Sequence, residues 1–225
     1  MDIPFELDTE ALLAELRIDP ASERAGEIRR AAEAVGPSIR PKAVYDVCYV
    51  EGRGDDTVEL GGVMFTSRVL RINLEGAERV FPFIATCGRE VADRAAAYDD
   101  MMLRFALDRL MEQALRAASA HTVSILTDTY SLGGTSVMNP GSLDDWPMAE
   151  QRQLFSLFGD VGELIGVELT DSFLMVPIKS VSGILFPTEI RFESCQLCPR
   201  ETCPSRRARH DPSLWAKRYR RTRPQ

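Results

Sequence analysis

The chain has 225 residues, 44% of them hydrophobic and 27% charged, and a formal net charge of −7. A chain of this kind can bury a sizeable core, so we expect one soluble domain with an appendage or at most two small domains. The longest apolar run, Phe173 to Ile178, is far shorter than the ~20 residues of a membrane span, which excludes a transmembrane protein. The first residues have neither the basic block nor the apolar block of a signal peptide, and we therefore expect a cytoplasmic protein.

Two capped helices are predicted for an N-terminal helical segment, residues 1–42. Asp8 occupies an N-cap position ahead of leucines at helical spacing. Ser22 caps a second predicted helix from Glu23 to Val35, which Gly36-Pro37 closes.

Short β-rich runs begin near residue 43 and open a predicted body over residues 43–190. The predicted strands span residues 44–50, 58–60, 63–65, 69–74 and 80–88. Pro82 lies inside the last run, and proline has no amide hydrogen for a sheet ladder. We therefore predict an edge strand or a bulge at that position.

Helices and strands alternate irregularly through the rest of the body. Helices are predicted over residues 89–120 and 150–164, where apolar residues recur every three or four positions. Strands are predicted over residues 173–177 and 181–186. Because no regular β-α-β repeat appears, the predicted fold class is α+β.

Three of the five cysteines crowd into residues 191–225, which we predict to be a Cys-rich, metal-binding basic tail. Cys195, Cys198 and Cys203 follow the spacing C-x2-C-x4-C. Thiolates are ligands for zinc and for iron–sulfur clusters, and both usually take four ligands. The odd number of cysteines argues against a disulfide framework. The sequence therefore predicts a metal site on these three cysteines.

The fourth ligand of that site is left open. His210 would complete a Cys3His zinc site, whereas Cys48 or Cys87 would complete an all-cysteine cluster. An open position, or a ligand from a partner, is the third alternative. Cys198 and Cys203 each precede a proline, as the last cysteine of a ferredoxin motif does. This feature favours an iron–sulfur cluster, of the 4Fe–4S type, over zinc.

Charge is distributed unevenly along the chain. The segment from Arg200 onward carries +7, which leaves −14 on the residues before it. Its nine cations are Arg200, Arg206, Arg207, Arg209, Lys217, Arg218, Arg220, Arg221 and Arg223. Docking to a polyanionic or acidic partner and folding of the tail onto its own acidic body are both open. Nucleic-acid binding is disfavoured, because the acidic body would repel phosphates over most of its surface.

Two further strings contain candidate cofactor-binding residues. The first is a loop that two prolines and a glycine make rigid, and its candidates are Asn139, Pro140, Gly141, Asp145 and Trp146. Trp146 would offer an aromatic face beside carboxylates to a flat ligand, and a packed loop without a ligand is the alternative. The second string begins a strand with backbone and hydroxyl donors, and its candidates are Ser180, Val181, Ser182 and Gly183. An ordinary turn into a core strand is the alternative there.

The motifs occur in a distinctive order. A glycine-ended strand at Ile84–Gly88 precedes a long helix and the Pro-Gly loop, and a Thr-x-Ser-Phe string at Thr170–Phe173 precedes a Ser-Val-Ser-Gly string at Ser180–Gly183. This order resembles the activation domain of cobalamin-dependent methionine synthase, over roughly residues 43–186. It is most similar to the free-standing members, which accompany methionine synthases that lack a fused activation domain. The resemblance implies an α+β fold with a C-shaped, twisted antiparallel sheet and flanking helices.

The resemblance also implies a function. In the family, the corrinoid is occasionally oxidised to inactive cob(II)alamin. The activation domain then docks over the corrinoid and supplies S-adenosylmethionine while an electron donor reduces the cobalt. By resemblance, the chain is an accessory protein or subunit of a corrinoid-dependent methyltransferase, with a methionine synthase-like protein as the partner that carries cobalamin.

One departure from the family pattern concerns S-adenosylmethionine. The fused domains carry an Arg-Pro-x-Pro-Gly-Tyr loop, whose Arg and Tyr help to hold that molecule. Aligned on Pro140-Gly141, this sequence has Val137 in place of the Arg and Ser142 in place of the Tyr. Loss of the guanidinium removes a bidentate partner for the ligand carboxylate, which puts S-adenosylmethionine binding in question.

Two functional hypotheses follow from the cysteines and the resemblance together. In the first, the protein is a reductive activator, and an iron–sulfur cluster in the tail passes an electron to the cobalt of the partner. In the second, the protein is a non-redox module that binds the corrinoid domain, with a structural zinc in its tail.

Overall fold

The computed structural model describes residues 1–220, so Arg221 and Arg223 of the basic tail lie outside the described residues. The chain forms two compact units whose segments interleave along the sequence. The first unit contains Met1–Val44, Ile84–Ile125 and Asp160–Val181, and the second contains Tyr45–Phe83, Leu126–Gly159 and the chain from Ser182 onward. The division into residues 1–42, 43–190 and 191–225 stays a prediction.

Helices and strands are mixed along the chain. The helices are α1 (Thr9–Leu16), α2 (Glu23–Val35), α3 (Arg68–Asn73), α4 (Arg89–Ala96), α5 (Met101–Thr129), α6 (Gln151–Ser156) and α7 (Val161–Ile165), and a π-helical turn spans Trp215–Tyr219. The strands are β1 (Lys42–Tyr45), β2 (Cys48–Arg53), β3 (Thr57–Leu60), β4 (Val63–Thr66), β5 (Arg79–Thr86), β6 (Thr135–Met138), β7 (Glu168–Leu169), β8 (Met175–Val176) and β9 (Ser180–Pro187). No helix within residues 1–220 is both long and apolar enough to cross a membrane.

Helices build the core of the first unit. The predicted caps of α1 and α2 are confirmed, since Asp8 Oδ1 accepts from the Ala11 N–H at 2.9 Å and Ser22 Oγ accepts from the Ala25 N–H at 3.2 Å. The apolar faces of α1, α2, α4 and α5 pack together. The buried members are Leu12, Leu13, Ala25, Ile28, Ala31, Ala32, Val35, Cys87, Val91, Ala95, Ala106, Leu107, Leu110 and Ala114.

The main sheet follows the order β4-β3-β2-β5-β9-β6, and β1 also pairs with β5. The pairs β2–β3, β3–β4 and β6–β9 are antiparallel, and Thr135 lies opposite Pro187 in the last of them. In the second unit, α3 lies against β3 and α6 lies against β4. These features confirm the predicted α+β class and its antiparallel sheet with flanking helices.

One predicted strand is a helix. The apolar run at residues 69–74 reads as β in isolation, but it forms α3. Ser67 Oγ accepts from the Leu70 N–H at 3.0 Å, and Asp145 Oδ2 accepts from the Val69 N–H at 2.8 Å. Two oxygen acceptors therefore satisfy the first amides of the helix, and one of them comes from a residue far along the chain.

Two predicted helices are each divided. The helix predicted over residues 89–120 forms α4 and α5, and the one predicted over 150–164 forms α6 and α7. Gly159 has a φ of +72° between α6 and α7, and Asp160 then caps α7 by accepting from the Glu163 N–H at 3.0 Å. A left-handed glycine followed by a new N-cap ends one helix and begins the next.

Of the two alternatives predicted for Pro82, an edge strand or a bulge, the edge strand is wrong. Its strand, β5, is interior, because it pairs with β2 on one side and β9 on the other. The Pro82 carbonyl accepts from the Asp46 N–H at 3.1 Å, at the break between β1 and β2. The break between β1 and β2 therefore provides the interruption in strand pairing that a proline requires.

Candidate functional site

The loop at residues 139–147, hereafter the Pro-Gly loop, is a tight turn in the second unit. The Gly141 N–H donates to the Trp146 carbonyl at 2.7 Å, and the Ser142 N–H donates to the Asn139 carbonyl at 3.2 Å. Gly141 has a φ of +80°, and a Cβ there would collide with the Met148 sulfur. Only glycine suits this position. The half-buried Asn139 and buried Pro140 begin the turn.

Asp145 is engaged within the protein. Its Oδ2 accepts from the Ser67 hydroxyl at 2.5 Å and from the Val69 N–H at 2.8 Å. A carboxylate at this place both caps α3 and complements the positive end of the helix. The carboxylate that the sequence offered as a ligand contact thus holds the Pro-Gly loop onto α3.

Trp146 corrects the prediction of an exposed aromatic face. Its side chain is fully buried and packs edge-on against Phe65, with ring centroids 6.3 Å apart. Its indole Nε1 is also buried and has no hydrogen-bond partner among the described residues. A flat ligand cannot stack on a ring that is fully buried.

Asn139, Ser182 and Gly183 meet where β6 leads into the Pro-Gly loop. Asn139 Nδ2 donates to the Ser182 carbonyl at 2.7 Å, and the Ser182 hydroxyl donates to Gln151 Oε1 at 3.2 Å. A Cβ on Gly183 would lie 2.5 Å from Asn139 Nδ2 and 2.9 Å from the Met138 carbonyl. The glycine therefore permits a close backbone approach, and the polar groups around it are bonded to one another.

The remaining candidates of that string, Ser180 and Val181, belong to the first unit. The Ser180 hydroxyl donates to the Pro177 carbonyl at 2.7 Å and lies 2.9 Å from the Thr86 hydroxyl. Val181 is half-buried. Ser180 and Val181 thus belong to the first unit and the other predicted cofactor-binding residues to the second, and their role in cofactor binding stays a prediction.

A cavity of about 340 Å³ opens on the first unit. Residues of α4 and α5 line it together with the segment Val176–Lys179, which contains the cis peptide before Pro177. Lys179 Nζ pairs with Asp108 Oδ2 at 3.0 Å on its wall. Ile178, at the same wall, is 81% exposed. The cavity therefore combines an ion pair with an apolar side chain that faces solvent.

The cysteine loop, residues 195–208, carries its three thiols near the surface. Cys195, Cys198 and Cys203 are all half-exposed free thiols. Among residues 1–220, no group of three or more His, Cys, Asp or Glu side chains is placed closely enough to hold a metal ion. The predicted ligands, His210 included, are therefore not gathered into a metal site in the described chain. The metal site stays a prediction from the cysteine spacing.

Cys48 and Cys87, the other proposed ligands, are buried, one in each unit. Burial raises the pKa of Cys48 to about 11, helped by the nearby carboxylates of Asp46 and Glu51. Burial also raises the pKa of Cys87 to about 12. Such thiols are protonated at neutral pH and behave as inert core residues.

The end of the described tail folds onto the second unit. Tyr219 is fully buried, and its hydroxyl donates to Asn73 Oδ1 at 2.9 Å. The Arg68 guanidinium donates to the carbonyls of Tyr219 and Arg220 and pairs with Asp56 at 2.9 Å. The tail therefore docks on its own body, but through an aromatic ring and backbone carbonyls, while its cations Arg200, Arg207, Arg209, Lys217 and Arg220 stay exposed.

Comparison with known proteins identifies the fold. Residues 142–198, about a quarter of the chain, match the family described as vitamin B12 dependent methionine synthase, activation domain. The structure matches the crystal structure of the MetH reactivation domain bound to AdoHcy, with a TM-score of 0.54 and 16% identity, over 84% of this chain and 73% of that one. The chain therefore shares the fold of that reactivation domain. No curated protein matches it significantly in sequence.

The two residues that depart from the family's loop pattern have clear positions in the structure. Val137 is half-buried in β6, opposite Leu185 of β9, and Ser142 is exposed at the loop tip. Neither side chain carries a charge or a ring. The matched segment begins at Ser142, inside the Pro-Gly loop, and ends at Cys198, so it includes the first two cysteines of the cysteine loop but not Val137.

Two important residues escaped sequence reasoning. Arg68 fastens the tail, and Arg206 bonds to the backbone of the cysteine loop. Apart from the ion pair of Arg68 with Asp56, the contacts named here for both arginines are with backbone carbonyls, which no residue pattern marks.

Proposed function

We propose that this chain is a reactivation module that docks on the corrinoid of a separate cobalamin-dependent methyltransferase, with methionine synthase as the best candidate. The match of residues 142–198 to the activation-domain family carries this proposal. The matching fold supports it. The proposed partner carries the cobalamin, and this chain supplies the surface that covers it.

The cavity of the first unit is the proposed docking face. Its segment Val176–Lys179 lies inside the family-matched stretch and carries the exposed Ile178. Met101 and Phe105 of α5 are also exposed, at 85% and 50%. They lie four residues apart and therefore share a face with Asp108. Exposed apolar side chains beside a Lys179–Asp108 ion pair suit a large corrinoid with an apolar ring and amide substituents.

We propose that the Pro-Gly loop of this chain does not bind S-adenosylmethionine during reactivation. Asp145 and Asn139 are bonded within the protein, and Trp146 is buried. Val137 and Ser142 offer no partner for a ligand carboxylate. The residues present therefore do not fit the ligand that the MetH domain holds in its crystal structure. Titration calorimetry with AdoHcy is expected to give no saturable heat.

The electron for cobalt is proposed to pass through the cysteine loop. Three half-exposed thiols lie within nine residues, which provides three of the four thiolates that an iron–sulfur cluster usually takes. A bound iron–sulfur cluster would supply a one-electron carrier, whereas a bound zinc ion would only brace the loop. Iron, zinc and acid-labile sulfide analysis of protein purified without oxygen decides between these two interpretations.

Docking is tested with a methionine synthase that has no activation domain of its own, held as cob(II)alamin. We expect the full chain to co-elute with it and to perturb its visible spectrum. Ile178→Glu places a charge on the proposed face and is expected to abolish both effects. Met64→Glu changes a 50% exposed methionine of the second unit and serves as the matched control. Equal behaviour of the two variants would contradict the assigned face, and no complex with the wild type would contradict the proposal itself.

A further inference from the structure

The Arg206 side chain is hydrogen-bonded to the backbone of the cysteine loop at several points. Its Nη1 donates to the carbonyls of Cys195 at 3.0 Å and Ala208 at 3.2 Å. Its Nη2 donates to the carbonyl of Cys198 at 3.2 Å and to that of Arg200. One guanidinium thus bonds to four backbone oxygens on both limbs of the loop. A planar fork with five donors can do this, whereas a lysine ammonium cannot.

All three cysteines are connected to the dipeptide Arg206–Arg207. Cys195 and Cys198 present their carbonyls to the Arg206 side chain, and Cys203 presents its carbonyl to the Arg206 N–H at 3.2 Å. The Arg207 N–H lies 3.5 Å from the Cys195 sulfur, within hydrogen-bond range for sulfur. Hydrogen bonds from backbone amides to cysteine sulfur are also a means by which proteins tune metal–thiolate centres.

The base of the loop is fixed as well. The Phe192 N–H donates to Ser136 Oγ at 2.7 Å, and the Phe192 ring packs edge-on against Tyr219 at 6.2 Å. The Asp211 N–H donates to the Gln196 carbonyl at 2.9 Å. The segment before the loop is therefore anchored to other residues of the second unit, and the segment after the loop is bonded back to Gln196. The backbone is restrained while the thiols are half-exposed.

We propose that Arg206 is the positioning residue of a soft-metal site formed by Cys195, Cys198 and Cys203. Arg206 holds the backbone of the short loop that carries the three thiols. The thiols are not gathered among the described residues, so metal binding would have to bring them together. Binding releases the thiol protons and forms three metal–sulfur bonds, and the positive guanidinium offsets part of the thiolate charge. This inference rests on the cysteine prediction within the proposed function and is independent of the corrinoid partner.

Cobalt(II) is the probe, because thiolate ligation gives it an intense charge-transfer absorption. The full chain, reduced and free of metal, is expected to bind Co²⁺ with this absorption and to lose it when the three cysteines are changed to serine. Arg206→Met is expected to weaken Co²⁺ binding about 10- to 100-fold, the usual cost of losing an outer-shell partner. Arg206→Lys is expected to restore little of that loss.

Two neighbouring arginines provide matched controls. Arg207→Met keeps the N–H that faces Cys195, so its Co²⁺ affinity is expected to equal that of the wild type. Arg209→Met removes an exposed cation of the same loop region and is expected to have no effect. If Arg207→Met or Arg209→Met weakens binding as much as Arg206→Met, general charge rather than positioning is responsible and the proposal is overturned.

A measurement on the wild type covers the case in which Arg206→Met disorders the loop. Hydrogen exchange with and without Co²⁺ is expected to show added protection at residues 195–208, including the Arg206 and Arg207 amides, and none at the Pro-Gly loop. Unchanged exchange, or the absence of thiolate absorption in the wild type, overturns the metal site. Neither result touches the docking proposal, which is tested with the corrinoid protein alone.

Discussion

The Pro-Gly loop and the cysteine loop are both short connections of the second unit, yet their side chains are used differently. In the Pro-Gly loop, Asp145 caps α3 and Trp146 is fully buried. In the cysteine loop, the backbone is held by Arg206 and the three thiols remain half-exposed. The Pro-Gly loop uses its carboxylate and its indole ring for structural contacts, whereas the cysteine loop leaves its thiols accessible.

This difference indicates where chemistry can occur. A polar or aromatic residue in a rigid loop can serve a ligand only while its own bonding groups are accessible. The Pro-Gly loop fails that condition, although by resemblance it corresponds to the loop that helps to hold S-adenosylmethionine in the fused activation domains. The cysteine loop meets it. Four predictions test this contrast, in order of decreasing effect.

The largest effect is expected at Trp146. Trp146→Ala removes a fully buried ring and is expected to cost about 3–5 kcal/mol of unfolding free energy, measured by urea denaturation. Trp215→Ala is the matched control, because Trp215 is 44% exposed, and its cost is expected to stay below about 1 kcal/mol. A smaller loss at Trp146 than at Trp215 would show that the Pro-Gly loop is not a structural element.

The second effect depends on pH and on the buried thiols. Their pKa values rise from 9.0 to about 11 for Cys48 and about 12 for Cys87, so the unfolded chain loses these protons first. Stability is therefore fully present below pH 9 and falls as the pH rises towards 11, by at most about 1.4 kcal/mol per pH unit for each thiol. Urea midpoints between pH 8 and about 11 measure the slope.

The control for that slope is the double variant Cys48→Ala/Cys87→Ala, which removes both ionisable groups. Its stability is expected to fall less steeply above pH 9. The triple variant of Cys195, Cys198 and Cys203 to serine is expected to keep the steep slope of the wild type. The reverse pattern would contradict the assignment of buried and exposed thiols.

A third, smaller effect is expected at the cap of α3. Asp145→Ala removes the acceptor for the Ser67 hydroxyl and the Val69 N–H, and is expected to cost about 1–2 kcal/mol. Asp144→Ala changes the exposed neighbour and is expected to change stability by less than about 0.5 kcal/mol. Chemical denaturation of the two variants separates capping from a loss of charge.

The smallest effect is expected at the cysteine loop itself. Without metal, the triple cysteine-to-serine variant is expected to have a stability within about 0.5 kcal/mol of the wild type, because its side chains are half-exposed. Thermal unfolding under reducing conditions checks this. A large loss would mean that the thiols, like Trp146, are part of the packed structure.

Local signals predicted much of the fold. The Ser22 cap and the run to Val35 define α2 correctly, because both lie next to each other in sequence. Residues 69–74 were mistaken for a strand because their helix depends on Asp145, which is distant in sequence. The burial of Trp146 and the contacts of Arg206 likewise arise from tertiary packing, which a loop's composition does not reveal.

The most direct test is the rate at which an inactive cob(II)alamin methionine synthase, lacking its own activation domain, regains activity with this chain and a reductant. The account predicts that the wild type speeds reactivation and that the triple cysteine-to-serine variant binds the partner equally well without speeding it. Equal reactivation by the variant would contradict electron delivery through the cysteine loop and leave a non-redox docking module.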